Sequence, residues 1–105
     1  MKGKQYNIEI SEEAENDFDN SYVYYYDESP KVADTFFLLI NTSLETIKKT
    51  PLSFLEIHKS LRKFAVKKFP FIIYYQVVDS TIKVIAIFHT SRNPKIWTER
   101  VKVED

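Results

Sequence analysis

The chain has no cysteine and a single glycine among its 105 residues. Without cysteine there is neither a disulfide framework nor a thiolate metal site, so the cytoplasm is the expected compartment. One glycine leaves no glycine-rich loop to cradle a phosphate, which disfavours nucleotide binding. No apolar run approaches the roughly 20 residues that a spanning helix needs. The opening MKGKQYNIEI lacks the apolar core of a signal peptide, so no membrane association is expected. The two histidines, His58 and His89, are far apart and form no HxxxH or HExxH spacing; no metal and no cofactor is expected. Net charge is absent too, with 15 basic and 15 acidic side chains.

That balance hides a division. Residues 1–58 carry five Lys/Arg against eleven Asp/Glu, and residues 59–105 carry ten against four, a net of minus six followed by plus six. Such asymmetry suggests an acidic face and a basic one, the latter suited to a polyanion or an acidic protein. Hydrophobic residues at 44% exclude a disordered chain, and this length bounds the fold to one domain over residues 1–105.

Residues 61–100 organise the chain. Runs 71–78 and 81–88 are rich in β-branched and aromatic residues and flank a short polar interruption, so they should pair as an antiparallel hairpin. In 61–66, Lys63, Ala65 and Lys67 would share one face and Phe64 and Val66 the other, giving a core face and a basic face. Upstream, YNIEI at 6–10 alternates as a strand with Tyr6, Ile8 and Ile10 inward. Ser11 followed by Glu12 and Glu13 opens a helix. Ala14, Phe18, Tyr22 and Tyr25 form its inner stripe, while Glu15, Asp17, Asp19 and Asn20 lie elsewhere around it. Ser29-Pro30 opens a second helix, on which Ala33, Phe36, Phe37, Ile40, Leu44 and Ile47 repeat at three and four until Pro51 ends the run. Residues 51–60 read as a loop with His58 exposed. The expected class is α+β in the order β-α-α-β-β-β: an antiparallel helical hairpin packed on a mainly antiparallel curved sheet, with a short C-terminal helix over 94–100 left open.

Paired carboxylates for acid–base work would have to come from the helices, whose Asp and Glu read as solvent-facing. The remaining constellation is basic: Arg62, Lys63, Lys67, Lys68, Arg92, Lys95 and Arg100, with His89, Tyr74, Tyr75 and Trp97 nearby. Such a set can hold phosphates and stack bases.

The strings LRKFAVKKFPFIIYYQV, IKVIAIFH and HTSRNPKIWTER, in that element order, resemble the RelE/ParE superfamily of bacterial type II toxin–antitoxin toxins, nearer the ParE (plasmid stabilisation) branch. The resemblance rests on Leu61-Arg62, Phe69-Pro70-Phe71, Tyr75 and a His89-x-x-Arg92-x-Pro94 ending. It implies a toxin neutralised by a cognate antitoxin in a hetero-oligomer, the antitoxin's disordered tail folding onto the basic sheet and helical hairpin. It also implies one of two targets. A ParE-type toxin inhibits DNA gyrase by binding it. A RelE-type toxin is an endoribonuclease that cuts mRNA on the ribosome, for which Lys63, His89 and Arg92 are the catalytic candidates. The RelE set is incomplete here, since Ala65 and Ile72 occupy positions where RelE proper carries basic residues. Arg62, Lys63, Lys67, Lys68, Arg92, Trp97 and Arg100 are the expected contacts to target or antitoxin. An inactive or retargeted toxin-fold protein is a third reading.

Overall fold

A computed structural model describes residues 5–91 and Arg100. Its elements run β1 (Asn7–Ile10), α1 (Glu12–Glu28), α2 (Pro30–Lys49), a 3-10 turn (Pro51–Ser53), β2 (Glu56–His58), β3 (Leu61–Ala65), β4 (Phe71–Val78) and β5 (Thr81–His89). The five strands form one sheet in the order β1-β5-β4-β3-β2. β1 runs parallel to β5, and all other pairs are antiparallel. Two helices on a mixed sheet make an α+β fold.

Serines set the helix boundaries. The Ser11 side chain accepts the Ala14 N–H at 3.0 Å and so caps α1. Ser29 serves both helices: its N–H donates to the Tyr25 carbonyl at 2.8 Å, while its Oγ accepts the Val32 N–H at 3.4 Å. One residue therefore ends α1 and starts α2, which forces a tight reversal. Tyr22 donates to Asp34, and Phe18 meets Phe37 edge-on at 5.8 Å, so moving back along α1 means moving forward along α2.

The helical pair buries its aromatic stripe against one face of the sheet. Phe36 is fully buried and packs on Phe18, Tyr25, Phe69 and Phe71, with Ile40, Leu44 and Ile47 continuing the seam. Phe37, expected inside, is half exposed, and Ser43 is buried instead, donating to the Leu39 carbonyl. The inner stripe thus follows 36, 40, 43, 44 and 47, and the preceding turn satisfies the serine hydroxyl. Tyr6, just ahead of β1, and Ile8 on it pack on the core while Ile10 stays 39% exposed.

The segment expected as a loop at 51–60 contains β2, an added edge strand. It closes on β3 through Lys59 and Ser60 at φ of 37° and 65°. A two-residue reversal of this hand usually uses glycine or asparagine, and this chain offers neither there. Lys68 and Asp79 likewise take positive φ in the β3–β4 and β4–β5 connections.

The sheet's other face is also not as expected. Pairing between β4 and β5 slips, with Tyr74 opposite Ala86 but Tyr75 opposite Val84, leaving Ile85 as a bulge. The alternation flips there, so Ile82, Val84 and Ile87 face the helices while Ala86 and Phe88 point to the opposite side. On that side Leu61, Tyr74, Ala86 and Phe88 are buried in a second apolar cluster with Ile57, Ile72 and Ile85. One face is core, and the other is a smaller core bordered by lysines rather than a basic sheet.

Candidate functional site

The end of β1 exposes a problem for β5. β1 covers it only as far as Val84, so the peptide groups beyond need other partners. Asp17 supplies one, its Oδ2 accepting the Ile87 N–H at 3.0 Å. Arg100 supplies another, its Nη1 donating to the Ile85 carbonyl at 3.3 Å and to Asp17 Oδ2 at 2.6 Å. Nη2 completes a bidentate pair with Asp17 Oδ1 at 3.1 Å, and the guanidinium lies 4.7 Å from the centre of the Phe88 ring. The two side chains are only 14% and 6% exposed. Asp17 thus stands on the inner side of α1 and not among its solvent-facing acids, a correction whose cause is a partner 83 positions away in sequence. Arg100, expected at a partner-binding surface, has its guanidinium committed inside this chain.

Arg62 is engaged in a similar way at the sheet's far flank. Its Nη1 donates to the Phe54 and Leu52 carbonyls at 2.7 and 3.3 Å, and its Nη2 lies 3.4 Å from Glu56. The side chain binds the 52–56 segment to β3. Beside it Tyr75 is fully buried and donates to the Pro51 carbonyl at 2.7 Å. Burial pushes its phenol up to about 12, against a smaller downward pull from Arg62. Tyr74 is 5% exposed and its phenol is also raised by burial. Neither tyrosine offers a face for base stacking, contrary to the sequence reading.

Lys63, Lys67 and Lys68 are exposed. Lys63 pairs with Tyr74 across β3–β4, and Tyr74 with Ala86 across β4–β5, so directly opposed side chains put Lys63 on the face away from the helices. His89 pairs with Phe71, meets that ring edge-on at 5.3 Å, and opens into a cleft with Asn20, Ser21, Tyr24 and Tyr25 on the helix side. Its Nδ1 accepts the Ser91 N–H at 3.0 Å and lies 2.8 Å from Ser91 Oγ. The backbone donor fixes Nδ1 as an acceptor, which leaves the ring proton of the neutral form on Nε2. The row Ala65, Ile72 and Phe88 crosses the sheet beside Lys63 without a single polar group. Arg92, Trp97 and most of the expected C-terminal helix lie outside the described residues, although Arg100 itself is helical. Among the described residues no group of three or more His, Cys, Asp or Glu is placed to hold a metal, and no helix is long and apolar enough to cross a membrane.

The helical layer carries a feature that the sequence reading missed. Ile10, Phe18, Phe37, Ile40, Leu44 and Ile87 line an apolar cleft of about 140 Å³ between β1 and the two helices. Phe37 and Leu38 beside it are 50% and 61% exposed. The signal available was the apolar doublet Phe37-Leu38, wider than one buried stripe requires.

The sequence matches a family model described as ParE toxin of type II toxin-antitoxin system, parDE, over residues 8–94. Among solved structures the fold is similar to a chain of the "Chromosomal ParDE TA system from P. aeruginosa", with a TM-score of 0.73 and 16% identity over 81% of this chain and 96% of that one. At that identity the likeness concerns the fold alone. No curated protein matches the sequence.

Proposed function

This chain belongs to the ParE toxin family of type II toxin–antitoxin systems, and from that premise we propose that it acts in the cytoplasm by binding DNA gyrase, and that a cognate antitoxin neutralises it. The observation that carries binding over cleavage is the separation of Lys63 and His89 onto opposite faces of the sheet. Cutting RNA requires activation of a 2'-hydroxyl, charge stabilisation at the phosphate and protonation of the leaving oxygen, all at one phosphate. Two candidate groups divided by the sheet do not meet there, the Ala65–Ile72–Phe88 row carries no charged side chain of its own, and the Arg100 guanidinium over Phe88 is already paired with Asp17.

Support for an antitoxin comes from the helical layer. Exposed Phe37 and Leu38 beside an apolar cleft suit the anchors of a folding amphipathic segment, and exposed Lys63, Lys67 and Lys68 suit acidic residues elsewhere on it. Lys67→Glu with Lys68→Glu should slow antitoxin association about tenfold and change release little, because exposed charges act mainly through steering. Stopped-flow mixing reads both rates; an unchanged on-rate removes those lysines from the interface. The function itself is tested by adding purified toxin to gyrase in a supercoiling reaction and, in parallel, mapping message ends after induction in cells. Inhibited supercoiling relieved by antitoxin, with intact messages, is expected. Unchanged supercoiling with cuts in translated codons would replace this reading with the RelE-type one.

A further inference from the structure

The connection between α2 and β2 is tied down from inside the protein. The buried Tyr75 phenol donates to the Pro51 carbonyl at 2.7 Å, and the Arg62 guanidinium donates to those of Leu52 and Phe54 at 3.3 and 2.7 Å. The Ser53 N–H closes on the Thr50 carbonyl and the Lys63 N–H on that of Leu55, both at 3.1 Å. Pro51 is buried, and the Phe54 ring meets Phe64 edge-on at 4.9 Å. Five of the six carbonyls from 50 to 55 therefore have partners within the chain, which leaves this backbone little freedom. Yet Leu52 and Leu55 are 57% and 62% exposed. Residues 5, 91 and 100, the ends of the described chain, stand by β1 and β5, whereas this segment lies at the opposite edge of the sheet, beside β2 and β3. Apolar side chains on a fixed backbone lose little conformational entropy when covered, which suits rigid docking onto a folded surface.

Charge identifies what fits these leucines. Residues 48–63 carry five Lys/Arg against one acid, and that acid, Glu56, already accepts from Arg62 and from the Ser60 N–H. Lys48 and Lys49 stand in the last turn of α2, just ahead of the segment. Lys63 opposes Leu55 through its N–H, so the two side chains share a face. All three lysines are exposed. Nucleic acid matches this combination poorly, because leucines offer no ring for a base to stack on and the neighbouring Phe54 and Phe64 rings pack on each other. An acidic protein surface with an apolar hollow matches both features.

We propose that Leu52 and Leu55, rimmed by Lys48, Lys49 and Lys63, dock into an apolar hollow bordered by carboxylates on the folded target, at a site separate from the cleft beside Phe37. The proposal rests on the gyrase reading and names the toxin's side of that contact. Burial of the leucines holds the complex, and the lysines steer its approach. Because Lys63 is also expected at the antitoxin, a bound antitoxin covers part of the same rim and keeps the target away.

The test compares wild-type toxin with Leu52→Ser/Leu55→Ser, with the milder Leu52→Ala/Leu55→Ala and with Lys48→Gln/Lys49→Gln, reading half-inhibition of supercoiling, thermal melting and antitoxin affinity. Both leucine variants should melt within about 4 °C of wild type, since exposed side chains contribute little to the fold. The serine variant should need about tenfold more toxin for half-inhibition and the alanine variant about threefold more, at unchanged salt dependence. The glutamine variant should need about threefold more, with a flatter dependence on salt. Antitoxin affinity should stay within about threefold of wild type in both leucine variants. Half-inhibition within about twofold of wild type in both leucine variants overturns the docking site and leaves the gyrase reading intact. Wild-type toxin that spares supercoiling overturns both. Loss of antitoxin affinity in step with inhibition would assign the leucines to the antitoxin instead, and a loss of inhibition confined to the glutamine variant would assign this surface to a polyanion.

Discussion

Arg62 and Arg100 look alike in the sequence, two cations in the basic half, and both turn inward, yet their surroundings differ. Arg62 spreads its donors over two carbonyls and a half-exposed carboxylate, with Glu56 at 49% side-chain exposure. Arg100 meets a carboxylate that is 6% exposed and answers it with both nitrogens. Arg62 itself is 17% exposed, close to the 14% of Arg100, and its Nε is buried without a partner, so the difference between the sites lies in the carboxylates and not in the guanidinium groups. Around Arg100 both charges are buried and joined by two short contacts, with the Ile87 N–H and the Ile85 carbonyl as further partners, so removing one charge leaves the other without its countercharge. The seam between α1 and the uncovered part of β5 is therefore the less forgiving of the two.

Breaking that contrast should produce its largest effect at Asp17. Asp17→Asn leaves the guanidinium buried without its countercharge and should cost about 3–5 kcal/mol in denaturant unfolding. Asp17→Leu with Arg100→Leu should cost clearly less than the sum of the two single changes, since both charges go together, while the Ile87 N–H left without its acceptor keeps a residual loss of about 1–3 kcal/mol. Additive losses in that cycle would contradict the mutual dependence. Arg62→Ala should cost about 2 kcal/mol, from charge-assisted donations to the Leu52 and Phe54 carbonyls.

Tyr75→Phe should cost about 1 kcal/mol by leaving the Pro51 carbonyl without its donor. It should also alter the alkaline limb of the stability profile. The native phenol titrates near 12 against an ordinary value of 10.0, so its contribution is complete below pH 10 and is lost as pH rises toward 12. In Tyr75→Phe that decline should become shallower when unfolding is followed between those two pH values. Glu56→Gln should be the smallest change, within about 0.5 kcal/mol, because its carboxylate is half exposed and a glutamine oxygen can still accept the Ser60 N–H. A loss at Glu56 matching that at Asp17 would erase the distinction between the two sites.

Local signals in the sequence were sufficient for much of the fold. Ser11 and Ser29 are hydroxyl caps next to acidic or proline-led first turns, and both helices begin where those caps stand. The β4–β5 hairpin follows from two β-branched runs and a two-residue break. β2 escaped because it is three residues long and turns through Lys59-Ser60, residues that carry no glycine-like turn signature. The bulge at Ile85 escaped because an apolar run reads the same in either register, and with it went the second cluster beneath the supposed basic face. Asp17 was illegible for a different reason: an aspartate in a helix full of acids looks solvated until the Ile87 amide and Arg100 are brought to it. Of the candidate site, Lys63, Lys67 and Lys68 lie at the surface, while the interior ties of Arg62 and Arg100 depend on tertiary contacts that no spacing encodes.

The central claim is that this toxin works by occupying a partner and not by chemistry of its own. Its most direct test is half-inhibition of gyrase supercoiling by His89→Gln toxin, because that change removes a proton donor and acceptor while keeping a polar side chain. Inhibition within about twofold of wild type is expected, since no proton transfer is involved. Loss of inhibition by a hundredfold or more in a variant that still folds and still binds antitoxin would contradict the account.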